Sequence, residues 1–212
     1  MQPTVVFDLD KVLLGGDASM LFLRGALRNA PGRLAPLLLA APLLLPTAAV
    51  PWLRPLAARG MTRLAVGGLV GEGATAAYRS AVAVRPEAAI AEAVACLRAH
   101  LAAGERVVVA TGCEERMARG FLNAIGLTDI DVVGSSGSLR PFRVRRAIGE
   151  GKVSLLRERG YPPPWTAVYS DSPSDLPLFA GTPRPVLVNG DEGAAEQVTR
   201  VLGRRPEIRT WR

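Results

Sequence analysis

The sequence predicts an α/β fold: a Rossmann-like parallel sheet with helices on both faces, interrupted by an inserted small α-helical cap. Three observations carry this expectation. Short β-branched runs alternate with helical stretches, a pattern that produces parallel sheets covered by helices. Acidic or hydroxylic residues stand directly after several of those runs. Between the first run and the next helix lie roughly seventy residues with no strand signal.

The elements follow in order. Thr4–Phe7 is a short β-branched run that ends in Asp8-Leu-Asp10, which reads as a buried strand with carboxylates at its C-terminal edge. A helix is expected over Glu87–Ala103, stopped by Gly104, and then a strand over Val107–Ala110 that leads into Thr111-Gly112. A helical stretch from about Glu114 to Ile125 is closed by Gly126, and Ile130–Val133 reads as a third strand. Lys152–Arg159 is a helix closed by Gly160. Trp165–Tyr169 is a strand ending in Ser170-Asp171, and Pro185–Val188 is the last strand expected. The core therefore takes residues 1–15 and 85–212, and the cap takes 16–84.

Composition narrows the function classes. The chain has 212 residues, enough for one substantial core with a small accessory unit, and 49% of them are apolar. Aromatics are scarce at 5%, so the stacking platforms of nucleic-acid binders are not expected and no nucleic-acid partner is predicted. The net charge of +7 comes mainly from arginine, because Lys11 and Lys152 are the only two lysines. A basic balance attracts phosphates, whether on nucleic acid, anionic lipid or a small substrate. Cys96 and Cys113 lack metal-ligand spacing, and His100 is a single histidine near a helix end, so neither a thiolate metal centre nor an imidazole cluster is predicted. Met1-Gln2-Pro3 leads straight into a strand, which predicts no signal peptide and a cytoplasmic location.

Chemistry collects where strands end in such a sheet. Asp8 and Asp10 stand two apart where the chain leaves its first strand, so both are able to turn toward one pocket. A carboxylate is a weak nucleophile and two acids at one strand tip suggest a divalent cation. Thr111 offers a hydroxyl, and Gly112 is expected to open a helix whose amides suit an oxyanion. Lys152 sits at the entrance of its helix, where an ammonium reaches a phosphate. Asp171 and Asp175 put two more hard oxygen ligands on a strand-to-helix turn.

Phe7-Asp8-Leu-Asp10-Lys11-Val12, Ala110-Thr111-Gly112, Gly151-Lys152 and Tyr169-Ser-Asp171-Ser-Pro-Ser-Asp175 resemble the four motifs of the haloacid dehalogenase superfamily, in order and at compatible spacing. The resemblance implies a phosphatase in which Asp8 attacks phosphorus and becomes an aspartyl-phosphate. Asp10 would protonate the leaving oxygen and then activate water. Thr111 and Gly112 would bind the phosphoryl group, and Lys152 would hold its charge beside Asp8. It further implies Mg2+ held by Asp8, the backbone carbonyl of Asp10 and Asp171, with Asp175 ordering Lys152 or a metal-bound water. An acid at Asp10 favours phosphate chemistry over carbon–halogen cleavage, which needs no such proton donor. Many members carry Gly-Thr where this chain has Lys11-Val12, which makes Lys11 a candidate for contact with an extra substrate charge.

The insertion resembles the helical cap of the phosphoserine phosphatase-like subclass, and its Leu/Pro-rich run is similar to the phosphatidylglycerophosphatase C-like branch. Residues 34–53 are twenty positions without a charge, bounded by Arg33 and Arg54. The run reads either as cap core or as a peripheral membrane contact, flanked by basic residues that include Arg59 and Arg63. A membrane contact would place the chain at the inner face of the membrane and favour a lipid phosphate as substrate. Asp17 partly matches the early-cap acid that reads the serine ammonium, which keeps a small-metabolite phosphatase as the alternative. A phosphotransferase or mutase sharing the aspartyl-phosphate, and a membrane-surface scaffold that retains the fold, are the other readings.

Overall fold

The computed structural model describes residues 2–18, 20–21, 88–139, 142–145 and 147–212, with isolated positions at 32, 35, 38–42, 46 and 50. Strand β1 (Thr4–Phe7) lies at the middle of a seven-stranded sheet. Its Val5, Val6 and Phe7 are fully buried. Each such side chain contributes about 1.5–3 kcal/mol on leaving water, which is why a four-residue strand suffices at this position.

On one side of β1 lies β2 (Arg106–Glu114), then β3 (Asp131–Leu139), then β4 (Phe142–Arg145). On the other lie β5 (Ala167–Ser170), β6 (Pro185–Val188) and β7 (Glu207–Arg209). All pairings are parallel except that of β3 with β4. The expected Rossmann-like α/β architecture is therefore present. Strand order runs outward from β1 in both directions, so the switch point of the sheet falls at its C-terminal end, where Asp8 stands.

Between residues 91 and 202 five helices are described: α1 (Ala91–Ala102), α2 (Glu115–Ala124), α3 (Glu150–Glu158), α4 (Leu176–Ala180) and α5 (Glu192–Leu202). α2 buries Met117, Ala118, Phe121 and Leu122 along one face, the spacing of an amphipathic helix. Beneath the sheet, Val6, Val108, Leu156, Trp165, Phe179 and Val198 share one core.

Several boundaries differ from expectation. α1 begins at Ala91 because the residues before it are pinned to the loop after β1: Gly15 N–H donates to the Ala88 carbonyl (2.7 Å) and Ile90 N–H to Leu13 (2.9 Å). Glu87 lies outside the described residues. β2 and β3 run past their β-branched stretches into Gly/Ser-containing segments, and β4 extends β3 as a hairpin that periodicity in β3 did not announce. α5 and β7 follow the last strand expected from the sequence, and α5 has a legible start and stop. Asp191 accepts the Ala194 N–H at 2.8 Å, and Gly203 ends the helix in a left-handed conformation at φ 69°.

The chain divides into two compact units, Met1–Ala18 with Arg85–Arg212, and Ser19–Val84. In the second unit, residues 38–42 are helical, and Leu38 and Leu39 are 70% and 82% exposed. Most of the 34–53 run, and both Arg59 and Arg63, lie outside the described residues. Among the described residues, no helix is long and apolar enough to cross a membrane.

Candidate active site

Asp8 follows β1 directly, its N–H continuing the ladder to the Tyr169 carbonyl at 2.8 Å. Its carboxylate is held at both oxygens. Oδ1 accepts the Leu9 N–H at 2.7 Å, and Oδ2 lies 2.9 Å from the Nζ of Lys152. Asp8 is only 7% exposed and Lys152 only 4%.

Lys152 reaches this position from α3, whose entrance requires Gly149 at φ 53°, a conformation a side chain disfavours. Its ammonium also lies 2.7 Å from Oδ2 of Asp175, and that same oxygen accepts the Ser170 hydroxyl at 2.7 Å. Ser170 closes β5, and Asp175 ends the short 3-10 turn that follows it. Four elements (β1, α3, β5 and the 3-10 turn) thus deliver a buried Asp8–Lys152–Asp175–Ser170 chain to one end of the sheet.

One ammonium shared by two buried carboxylates leaves negative charge in excess. Burial pushes the Asp8 carboxyl from 3.8 up to about 7; Lys152 opposes this and Asp175 adds to it. Burial alone would lower the Lys152 pKa, but Asp8 and Asp175 outweigh it and raise it, so the ammonium stays charged.

Asp10 stands on the loop after β1, where Oδ1 accepts the Ala18 N–H at 2.8 Å. Burial pushes its carboxyl up to about 6, the Ala18 hydrogen bond opposing and the charge of Asp17 assisting. Asp17 is thus close enough to act on Asp10 electrostatically. Asp171, the first residue after β5, is also raised, by burial first, with Lys11 opposing and Asp175 assisting. Its Oδ2 lies 3.7 Å from Lys11 Nζ.

Thr111 is fully buried where the regular pairing of β2 with β3 ends, and its Oγ1 accepts the Cys113 N–H at 3.1 Å, so its own O–H remains a donor. Gly112 corrects the expectation. It does not open a helix: β2 continues to Glu114, with a register shift against β3 between Thr111 and Glu114, and α2 starts only at Glu115. The bulge leaves Gly112 on strand backbone, where its carbonyl accepts the Ser135 hydroxyl at 2.7 Å.

The structure therefore brings Asp8, Lys152 and Asp175 into direct contact, and places Asp10, Thr111 and Asp171 on adjoining strand ends. Sequence reasoning assigned no role to Ser170, Ser135 or Asn189. Ser170 braces Asp175. Ser135 ties the β2 tip to Ala147, whose N–H it accepts at 3.0 Å. Asn189 reaches the Lys11 carbonyl at 3.5 Å and receives the Trp211 N–H at 2.8 Å. Ser135 and Asn189 each stand just past a predicted strand, the position signal that marked the acids. His100 plays a packing part: its Nε2 lies 2.9 Å from the Tyr169 hydroxyl, and its Nδ1 faces Glu105.

The donor set fits a divalent cation in kind and in charge. Asp8, Asp171 and the Asp10 carbonyl are hard oxygens of the type magnesium takes. Four acids (Asp8, Asp10, Asp171, Asp175) face two lysines; burial first, and neighbouring acids second, raise the carboxyls of Asp8, Asp10 and Asp171, and a bound cation would offset both. Among the described residues, three acid, His or Cys side chains are nowhere drawn together as ligands; Lys11 stands against Asp171 instead.

Comparison with known proteins places this geometry. Over 116 residues the chain is 29% identical to the probable phosphatase Rv3661 of Mycobacterium tuberculosis H37Rv, a match that takes in 51% of this chain and 40% of that protein. The chain thus spans well under half the length of that relative. Among solved structures, a Bordetella pertussis Tohama I protein of unknown function superposes with a TM-score of 0.60 at 21% identity, covering 99% of both chains. A phosphoserine phosphohydrolase-like protein from Francisella tularensis gives 0.58 at 13% identity, covering 97% of this chain and 94% of the other. A phosphoserine phosphatase captured as a phospho-aspartyl intermediate analogue also gives 0.58, at 14% identity, with 99% and 93% covered. These likenesses establish a shared fold. The family match over residues 5–180 takes in all four strand-end motifs, from Asp8 through Asp175, and the chain belongs to the haloacid dehalogenase-like hydrolases.

Proposed function

We propose that the protein is a magnesium-dependent phosphomonoester hydrolase working through an aspartyl-phosphate on Asp8. The observation that carries this reading is the buried ammonium of Lys152 bridging Asp8 and Asp175 at the switch point of the sheet. A bound cation would supply charge neutralisation at the phosphate and keep Asp8 ionised. The protein's own residues do the rest. Asp8 Oδ2 attacks phosphorus, displacing the ester oxygen, and Lys152 holds the phosphoryl charge beside it. Asp10, whose raised pKa keeps it protonated below about 6, gives its proton to the leaving oxygen. It then takes a proton from the water that cleaves the acyl-phosphate bond. Thr111 donates its O–H to the phosphoryl group.

For the substrate we favour a phosphate displayed on a lipid, with peripheral contact through 34–53 at the inner membrane face, as in the phosphatidylglycerophosphatase C-like branch. The uncharged run and the exposure of Leu38 and Leu39 support this reading. The electrostatic reach of Asp17 to Asp10 favours a second reading, a phosphoserine phosphatase-like enzyme of the helical-cap subclass, in which an early acid meets a substrate ammonium.

One panel tests these readings. With magnesium, wild-type protein should release phosphate from phosphatidylglycerophosphate faster than from phosphoserine or sugar phosphates, and Asp8→Asn should lose at least about 10³-fold. Equal activity of wild type and Asp8→Asn would end the nucleophile assignment. Faster turnover of phosphoserine would select the second reading.

A further inference from the structure

Lys11 is a non-glycine residue in the left-handed region, at φ 58°. That conformation crowds Cβ against the backbone, and glycine would adopt it without strain. The loop enforces it. Lys11 N–H donates to the Gly16 carbonyl at 3.2 Å, and Asn189 Nδ2 reaches the Lys11 carbonyl at 3.5 Å. Leu9, Val12 and Leu13 around it are fully buried. The backbone would be better served by glycine, so the side chain is what the position retains. That side chain is 66% exposed, and its ammonium lies 3.7 Å from Asp171 Oδ2. Of the chain's two lysines, Lys152 is buried between Asp8 and Asp175, while Lys11 is presented to solvent beside the same strand ends.

Asp171 is the residue a divalent cation would claim. A cation bound there removes the partner of Lys11 and leaves a mobile ammonium next to the phosphate site, held on a rigid loop. We infer that Lys11 is a specificity-determining residue: displaced from Asp171 by the cation, its ammonium pairs with a second anionic group of the substrate, so the site prefers phosphomonoesters that carry another negative charge. This inference rests on the phosphatase reading above and narrows its substrate class.

The test compares phenyl phosphate with 3-carboxyphenyl phosphate, esters of similar leaving group that differ by one carboxylate. Wild-type protein should favour the carboxylated ester through KM. Lys11→Gln should raise its KM about tenfold, more than it changes kcat and more than it affects phenyl phosphate. Lys11→Arg should restore the preference. Calorimetry supplies a readout without turnover: Lys11→Gln should bind Mg2+ roughly two- to fivefold more tightly, the scale of a half-exposed ion pair. No preference in wild type, or an equal change for both esters in Lys11→Gln, would overturn the inference and leave the phosphatase reading standing. Should neither ester turn over, calorimetric Kd values of the two esters decide for Lys11, a preference lost in Lys11→Gln supporting it and equal affinities overturning it; the phosphatase reading fails only if the substrate panel above is inert as well.

Discussion

The Nζ of Lys152 lies 2.7 Å from Oδ2 of Asp175, inside the fold, and the same ammonium reaches Asp8 at 2.9 Å. Asp175 is in turn braced by the Ser170 hydroxyl. Asp8, the proposed nucleophile, is thus positioned by a lysine that is itself positioned by a second acid. This differs from a surface pair, because no member is free to drift into water.

Lys152→Met leaves two buried acids without a cation. Removing one partner of a buried ionic network costs about 3–5 kcal/mol. The variant should therefore show a much lower urea midpoint at pH 7 and lose about 10²–10³-fold in kcat where it still folds. An unchanged midpoint would mean that the Asp8–Lys152–Asp175 contacts carry no stability.

Asp8 and Asp10 predict an unusual pH dependence for the metal-free protein. Their folded pKa values, about 7 and about 6, lie above the 3.8 of the free carboxyl. Between these limits the folded state holds more protons than the unfolded chain, so stability falls as pH rises from about 4 to about 7. For Asp8 the full effect is on the order of a few kcal/mol. Denaturant titrations across this range should show the decline, and Asp8→Asn should make it shallower, leaving the part that Asp10 contributes. Stability that climbs with pH over the same window would contradict the arrangement.

The acids and Lys152 were legible because parallel strands present side chains at their C-terminal ends and each candidate directly follows a β-branched run or opens a helix. The sequence does not reveal pairings between distant positions. Nothing in Ser170 announces that its hydroxyl meets Asp175, and Asn189 meets the Lys11 carbonyl only because β6 ends beside the loop after β1. The strand conformation of Gly112 is hidden for a related reason. A bulge between Thr111 and Glu114 lengthens β2 without leaving a periodic signature. β7 has only three residues at the sheet edge, too few for alternation to register.

That bulge makes Gly134 a sensitive position. Gly134 pairs with Thr111, and a Cβ on it would sit 2.9 Å from the Cα of Glu115 and 3.0 Å from the Cys113 carbonyl oxygen. Both are backbone atoms, which cannot swing aside. Gly134→Ala should cost about 1–3 kcal/mol and lower Tm by several degrees. It should also depress activity, because the strain falls on the segment that carries Thr111. Thermal unfolding with the phosphatase assay checks both, and a variant with unaltered Tm would show that the β2 tip yields easily.

As the proposed proton donor, Asp10 offers a way to separate proton donation from nucleophilic attack. A poor leaving group such as an alkoxide needs a proton as the phosphorus–oxygen bond breaks, whereas nitrophenolate departs without one. Asp10→Asn should therefore slow formation of the aspartyl-phosphate from an alkyl phosphate by about 10²–10⁴-fold and affect p-nitrophenyl phosphate much less at that step. The sign with pH follows from the raised carboxyl: as an acid it must be protonated, so wild-type phosphorylation by alkyl phosphates should decline as pH passes about 6. Rapid-quench measurement of phosphoenzyme formation with the two esters distinguishes the roles. Equal losses for both would make Asp10 a structural residue of the loop after β1, with the Ala18 hydrogen bond at 2.8 Å its whole function.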